Sequence, residues 1–182
     1  MIFRWFERYP STLFTLMALV CWGLVGAGIY IQKSDPFINP CPMCIFQRIL
    51  FLIIGIIAMV AAVSARWSKK SVPVFSVLGL LVAAVGVYTA GKQSWMQWHP
   101  LEGSSCGRDD DFYTMVERMP MRDWLPTIFK GTGDCANIDW TFLGLSIANW
   151  SFIAFVCCII ALLLMLFKGG KLRRSERWKG YH

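Results

Sequence analysis

The run Ile49-Leu50-Phe51-Leu52-Ile53-Ile54-Gly55-Ile56-Ile57-Ala58-Met59-Val60-Ala61-Ala62-Val63-Ser64-Ala65 carries no charge. An α-helix rises about 1.5 Å per residue, so roughly 20 apolar residues span about 30 Å of hydrocarbon. Working outward, residues 9–32, 71–91 and 140–167 are equally free of charge. Four such runs predict an all-α membrane protein: one integral domain over 1–182, with transmembrane helices near 12–31, 45–64, 72–91 and 147–167. The composition agrees, since 56% of the 182 residues are hydrophobic and only 16% charged, against about 45–50% and 25% in soluble domains. Too few polar faces remain for a soluble bundle. Arg4 and Arg8 ahead of the first run, with Val25-Gly26-Ala27 inside it, suggest a signal peptide. The run exceeds the usual h-region of about 7–15 residues and is rich in Trp and Tyr, so we read it as a retained first helix.

The charges orient the bundle. The N-terminal stretch, the 65–71 loop and the tail after residue 167 hold eleven Lys and Arg and two acids, Glu7 and Glu176. The 92–146 loop holds five basic and eight acidic residues, and the 32–44 loop one of each. Basic loops stay in the cytoplasm. Both termini and the 65–71 loop are therefore expected inside, and loops 32–44 and 92–146 outside. The net charge of +7 then reflects topology and anionic lipid heads, not nucleic-acid binding.

Seven cysteines are present. Cys21, Cys157 and Cys158 lie within apolar runs and read as small hydrophobes. Cys41, Cys44, Cys106 and Cys135 all fall in the loops expected outside, the oxidising side where disulfides persist. Cys41-Pro42-Met43-Cys44 is a C-x-x-C just before the second helix, a spacing that favours redox activity over inert stapling. Pro42 stiffens the spacer. Cys44 falls at the helix N-terminus, where free N–H groups favour a thiolate. Arg48, one turn deeper on the same face, can hold that negative charge or simply anchor the helix at the interface.

Cys106 and Cys135 have 28 residues between them. Both lie in polar, glycine-flanked stretches that leave the backbone room to move during exchange. As a staple alone the pair would stabilise its loop by about 3–4 kcal/mol. The segment between them mixes Phe112, Met115, Met119, Trp124 and Phe129 with charged residues, as expected of a short amphipathic segment on the membrane surface. A zinc site lacks its second C-x-x-C, and His99 and His182 fall on opposite sides. Gly131-Thr132-Gly133 lacks the lysine of a phosphate loop.

Cys41-Pro42-Met43-Cys44 with Gln47-Arg48, then Cys106, Gly133-Asp134-Cys135, Trp140 and Phe142-Leu143-Gly144-Leu145, resembles the bacterial disulfide bond formation protein B family. The likeness covers essentially the whole chain. It implies a multi-pass protein of the bacterial inner membrane with its active cysteines on the periplasmic side. It also implies an enzyme that reoxidises a periplasmic thioredoxin-like dithiol oxidase (DsbA-like) and passes electrons to a quinone, ubiquinone or menaquinone. On that reading the partner attacks Cys106, the freed Cys135 attacks Cys41, and Cys44 faces the quinone with Arg48 beside it. Gln97, at the outer end of the third helix, is placed near the quinone head. The family often carries a His where Gln93 stands, which puts proton handling there in question. Two other readings are a thiol enzyme of the quinone-epoxide-reductase type and a scaffold with two structural disulfides. The first typically places its C-x-x-C before the final helix, not the second; the second would show no thiol exchange.

Overall fold

The computed structural model describes residues 10–34, 41–67, 71–99, 138 and 140–179. Cys106, Cys135 and the amphipathic segment between them lie outside the described residues. Four long helices dominate: α1 (Pro10–Ser34), α2 (Pro42–Trp67), α3 (Ser71–Trp98) and α4 (Ile147–Lys179). Each contains a stretch long and apolar enough to cross a membrane: Ser11–Ser34, Pro42–Ala65, Ser71–Trp98 and Ile147–Phe167. This is a multi-pass membrane fold. α3 continues well past the uncharged run that ends at Gly91, because Lys92 to Trp98 contains no Pro or Gly to stop it. That extra length carries Gln93 and Gln97 on helix.

α1 packs along α2, α2 along α3, and α3 along α4. The α3–α4 seam follows from side-chain size. Val72, Ser76, Gly79, Ala83, Gly86, Ala90 and Gln93 are all buried on α3. They recur every three or four residues, so one narrow stripe of mostly small side chains faces its neighbours. Phe155 of α4 fills the groove over Gly86, where a Cβ would overlap its ring. On its other face Phe155 stacks on Phe51 of α2, centroids 4.0 Å apart. Trp22 of α1 lies over Gly55 of α2 in the same manner. Ser11 adds a polar tie, its hydroxyl donating to the Ala62 carbonyl at 2.9 Å. Leu16, Leu19, Ile56, Val63, Leu81 and Ile160 face outward and exposed, as a surface bathed in lipid requires.

A two-stranded hairpin, β1 (Thr141–Phe142) and β2 (Leu145–Ser146), precedes α4. Among the described residues it is the one element the all-helical expectation did not contain. Its turn residues, Leu143 at φ 54° and Gly144 at φ 77°, both occupy the left-handed region that a tight two-residue hairpin demands. Ser146 ends the hairpin and caps α4, its hydroxyl accepting the Asn149 N–H at 3.4 Å.

Candidate functional site

The site lies at the end of the bundle where α2 and α4 begin and α3 ends. Pro42 is the first residue of α2, where its missing N–H costs nothing. Cys41 therefore occupies the capping position. Its carbonyl accepts the Ile45 N–H at 3.2 Å, and its sulfur accepts the Cys44 N–H at 3.3 Å. The cap folds the C-x-x-C back on itself: the Cys41 thiol donates to the Cys44 sulfur at 2.9 Å. Both are free thiols, Cys41 buried and Cys44 half-buried. The hydrogen bond to Cys44, then burial, hold the Cys41 thiol well above its ordinary value.

One glutamine covers the sulfurs and a second backs it. Gln93 of α3 donates its side-chain N–H groups to Cys41 at 3.3 Å and Cys44 at 3.1 Å. Its carbonyl oxygen accepts from the Gln47 amide of α2 at 2.8 Å. Both side chains are 2% exposed.

Arg48 points across to α1, donating to Gln32 Oε1 at 2.7 Å and to the Gly28 carbonyl at 3.4 Å. A Cβ on Gly28 would meet the guanidinium at ordinary contact distance. The two bonds fix the plane of the fork.

These groups line a cavity of about 250 Å³. Cys41, Cys44, Gln93, Arg48 and Gln97 are among its polar groups, while Leu24, Val25, Phe51 and Ala154 are among its apolar walls. The hairpin supplies a further wall through Trp140, Phe142 and Ser146. Trp150 pins the hairpin down, its indole N–H donating to the Phe142 carbonyl at 3.1 Å. Gln97 faces the same space and accepts the Ser146 hydroxyl at 2.5 Å. One turn deeper than Val25 and Ala154, Cys21 and Cys158 meet with their sulfurs 4.0 Å apart.

A vicinal dithiol at a helix N-terminus, beside a largely apolar cavity with the Arg48 guanidinium in its wall, is a site for two-electron thiol chemistry. Comparison with known sequences points the same way. The sequence model of the family described as Disulfide bond formation protein DsbB matches residues 10–165. This chain belongs to that family. It is 42% identical over 168 residues to disulfide bond formation protein B of Acidovorax sp. (strain JS42), covering 92% of this chain and 94% of that protein. It is 43% identical over 164 residues to the protein of the same name from Polaromonas naphthalenivorans (strain CJ2), covering 90% and 95%. Against that of Azoarcus sp. (strain BH72) the figures are 43% over 160 residues, 88% and 94%. As a member of the disulfide bond formation protein B family, the chain is a disulfide-generating membrane oxidoreductase acting on thiols.

Of the residues singled out in the sequence, the structure brings Cys41, Cys44, Arg48 and Gln97 around one cavity. Cys106 and Cys135 lie outside the described residues. Two features went unread. Gln47 entered only as part of a motif, and Gln93 only as the residue standing where a His is frequent. The available signal was the buried stripe of α3, whose spacing continues from Ala90 to Gln93 and Gln97.

Proposed function

We propose that this enzyme reoxidises a periplasmic thioredoxin-like dithiol oxidase (DsbA-like) and passes the electrons to a membrane quinone, ubiquinone or menaquinone. It would do so in the bacterial inner membrane with all four loop cysteines on the periplasmic side. The observation that carries the reading is Cys44 at the cavity wall, with the guanidinium of Arg48 and the amide of Gln97 lining the same space. A lipid-soluble ring fits such a place. The walls are mostly apolar, and Cys44, Arg48 and Gln97 line the same space.

The chain's own residues carry the rest. The partner's thiolate attacks Cys106 of the Cys106–Cys135 disulfide, forming a mixed disulfide and releasing Cys135 as thiolate. The partner's second thiol resolves the mixed disulfide, leaving the partner oxidised and Cys106 and Cys135 reduced. Cys135 then attacks Cys41, breaking the Cys41–Cys44 bond and releasing Cys44 as thiolate. Cys106 attacks the Cys135–Cys41 bond, restoring the loop disulfide and freeing Cys41 as a thiol. Arg48 and Gln93 sit where they steady the charge on Cys44, and Cys41 holds a proton beside it. A bound quinone supplies a two-electron, two-proton acceptor, which lets Cys41 and Cys44 close their disulfide again. The strength of the arrangement is kinetic: a lipid-soluble acceptor keeps the pair oxidised without a thiol buffer.

The test is stoichiometry. Purified enzyme, reduced partner and a short-chain quinone without oxygen should consume one quinone per partner disulfide formed, and Cys44→Ser should stop both. Partner oxidation with no quinone consumed would overturn the proposal.

A further inference from the structure

We infer that Gln47 and Gln93 form a polarity-locked amide relay that holds N–H donors on the sulfurs of Cys41 and Cys44 and thereby sets how strongly this pair oxidises. The inference rests on the proposed function only in taking the Cys41–Cys44 pair to be redox-active.

A glutamine amide has two ends of similar size and opposite hydrogen-bonding character. Which end meets the sulfurs is decided by what the sulfurs can do. In the disulfide they are weak acceptors, and in the thiolate a strong one; in neither state can the reacting sulfur donate. Gln93 must then present its NH₂ end, as it does at 3.3 and 3.1 Å. Its carbonyl consequently points away, buried, and needs a donor, because an unmet buried carbonyl is costly. The Gln47 NH₂ supplies that donor at 2.8 Å. Were Gln93 to turn over, two NH₂ groups would face each other and a carbonyl would face the thiolate. Both amides are 2% exposed, so water cannot make good either mismatch.

The relay acts on one side of the redox equilibrium. Its N–H groups bond a charged sulfur more strongly than a disulfide sulfur. They therefore stabilise the reduced pair, and stabilising the reduced form makes a disulfide a stronger oxidant. Gln93 touches the reacting atoms. Gln47 acts through Gln93 and is a positioning residue. Neither amide accepts a proton, so the relay holds charge without carrying protons away.

The experiment equilibrates the purified full-length enzyme in detergent with glutathione redox buffers, without quinone or partner. After acid quenching and alkylation, the tryptic peptide following Lys33 and ending at Arg48 reports Cys41 and Cys44 alone, since it holds no other cysteine. Gln93→Met removes the donors and should shift the equilibrium about tenfold toward the disulfide, about 30 mV for this two-electron couple. Gln47→Met frees the Gln93 amide and should shift it less, in the same direction. Gln47→Glu is decisive. At alkaline pH the ionised carboxylate only accepts, turning Gln93 over, so this near-isosteric change should cost more than Gln47→Met. A role in packing alone predicts the reverse order, and that order overturns the lock. If a buried carboxylate unfolds the bundle, Gln93→Met decides by itself: an equilibrium equal to wild type overturns the inference. A wild-type pair that never exchanges with glutathione removes the proposed function together with the lock, whereas variants that match an exchanging wild type remove the lock alone.

Discussion

Replacing Arg48 with Ala removes the one guanidinium that lines the cavity among the described residues, and the size of the effect can be worked from its bonds. The fork carries five N–H groups. One is committed to Gln32 at 2.7 Å and one to the Gly28 carbonyl at 3.4 Å; the others are available to an acceptor in the cavity. A hydrogen bond to a charged group is worth about 1.5–3 kcal/mol, and about 1.4 kcal/mol is tenfold in affinity. Arg48→Ala should therefore raise the apparent quinone KM by about ten- to a hundredfold. Arg48→Lys keeps the charge but cannot hold Gln32 and a cavity acceptor at once, so its loss should be smaller. Gln32→Ala should fall below both, because it loosens the fork without removing it.

The assay varies a short-chain quinone at fixed dithiothreitol, which bypasses the protein partner and isolates the acceptor side. Exchange at Cys106 and Cys135, followed by trapping with the reduced partner, should be unchanged in all three variants. If Arg48→Ala leaves both quinone KM and kcat at wild-type values, the arginine only ties α2 to α1, and the reasoning from cavity geometry to acceptor binding fails.

Cys106→Ala and Cys135→Ala should each abolish turnover of the protein partner while dithiothreitol still drives quinone reduction; equal loss of both activities would count against a two-pair relay. Cys21→Ala and Cys158→Ser should retain activity, because their sulfurs meet each other at 4.0 Å and not the cavity; an inactive but folded Cys21→Ala would mean the deep pair takes part in the chemistry. Gly86→Ala should lower the stability of the bundle by about 1–3 kcal/mol, read by denaturant titration, since its methyl group overlaps the Phe155 ring; unchanged stability would contradict the α3–α4 packing.

How much was legible in the sequence depended on whether one element could speak for itself. Long uncharged runs such as 49–65 declare a membrane helix without help from neighbours, because the cost of polar groups in hydrocarbon is paid locally. Cys41-Pro42-Met43-Cys44 was legible for the same reason, with spacing, proline and helix N-terminus all adjacent in the chain. The end of α3 was not, because the apolar signal stops at Lys92 while nothing there breaks the helix. The hairpin was hidden inside the uncharged stretch 140–167: Gly144 suits a positive φ, but Leu143 is among the last residues one would place there. Contacts between helices, such as Gln47 with Gln93 and Cys21 with Cys158, depend on how each helix is rotated about its axis. Runs that are apolar on every side leave that rotation unspecified.

The cavity itself follows from where the small residues fall. On α3 they form a buried stripe that lets α4 settle close, with Phe155 over Gly86 and Leu162 against Gly79. Gly55 does the same for α1 against α2 through Trp22. Between α1 and α4, Cys21 and Cys158 meet, and one turn above them Val25 and Ala154 line the cavity. The capping cysteine pair of α2 and Arg48 line the same cavity. The redox pair thus meets the cavity as a consequence of glycine placement in the helices around it, which makes Gly86 and Gly55 as important to the shape of the site as the polar residues that line it.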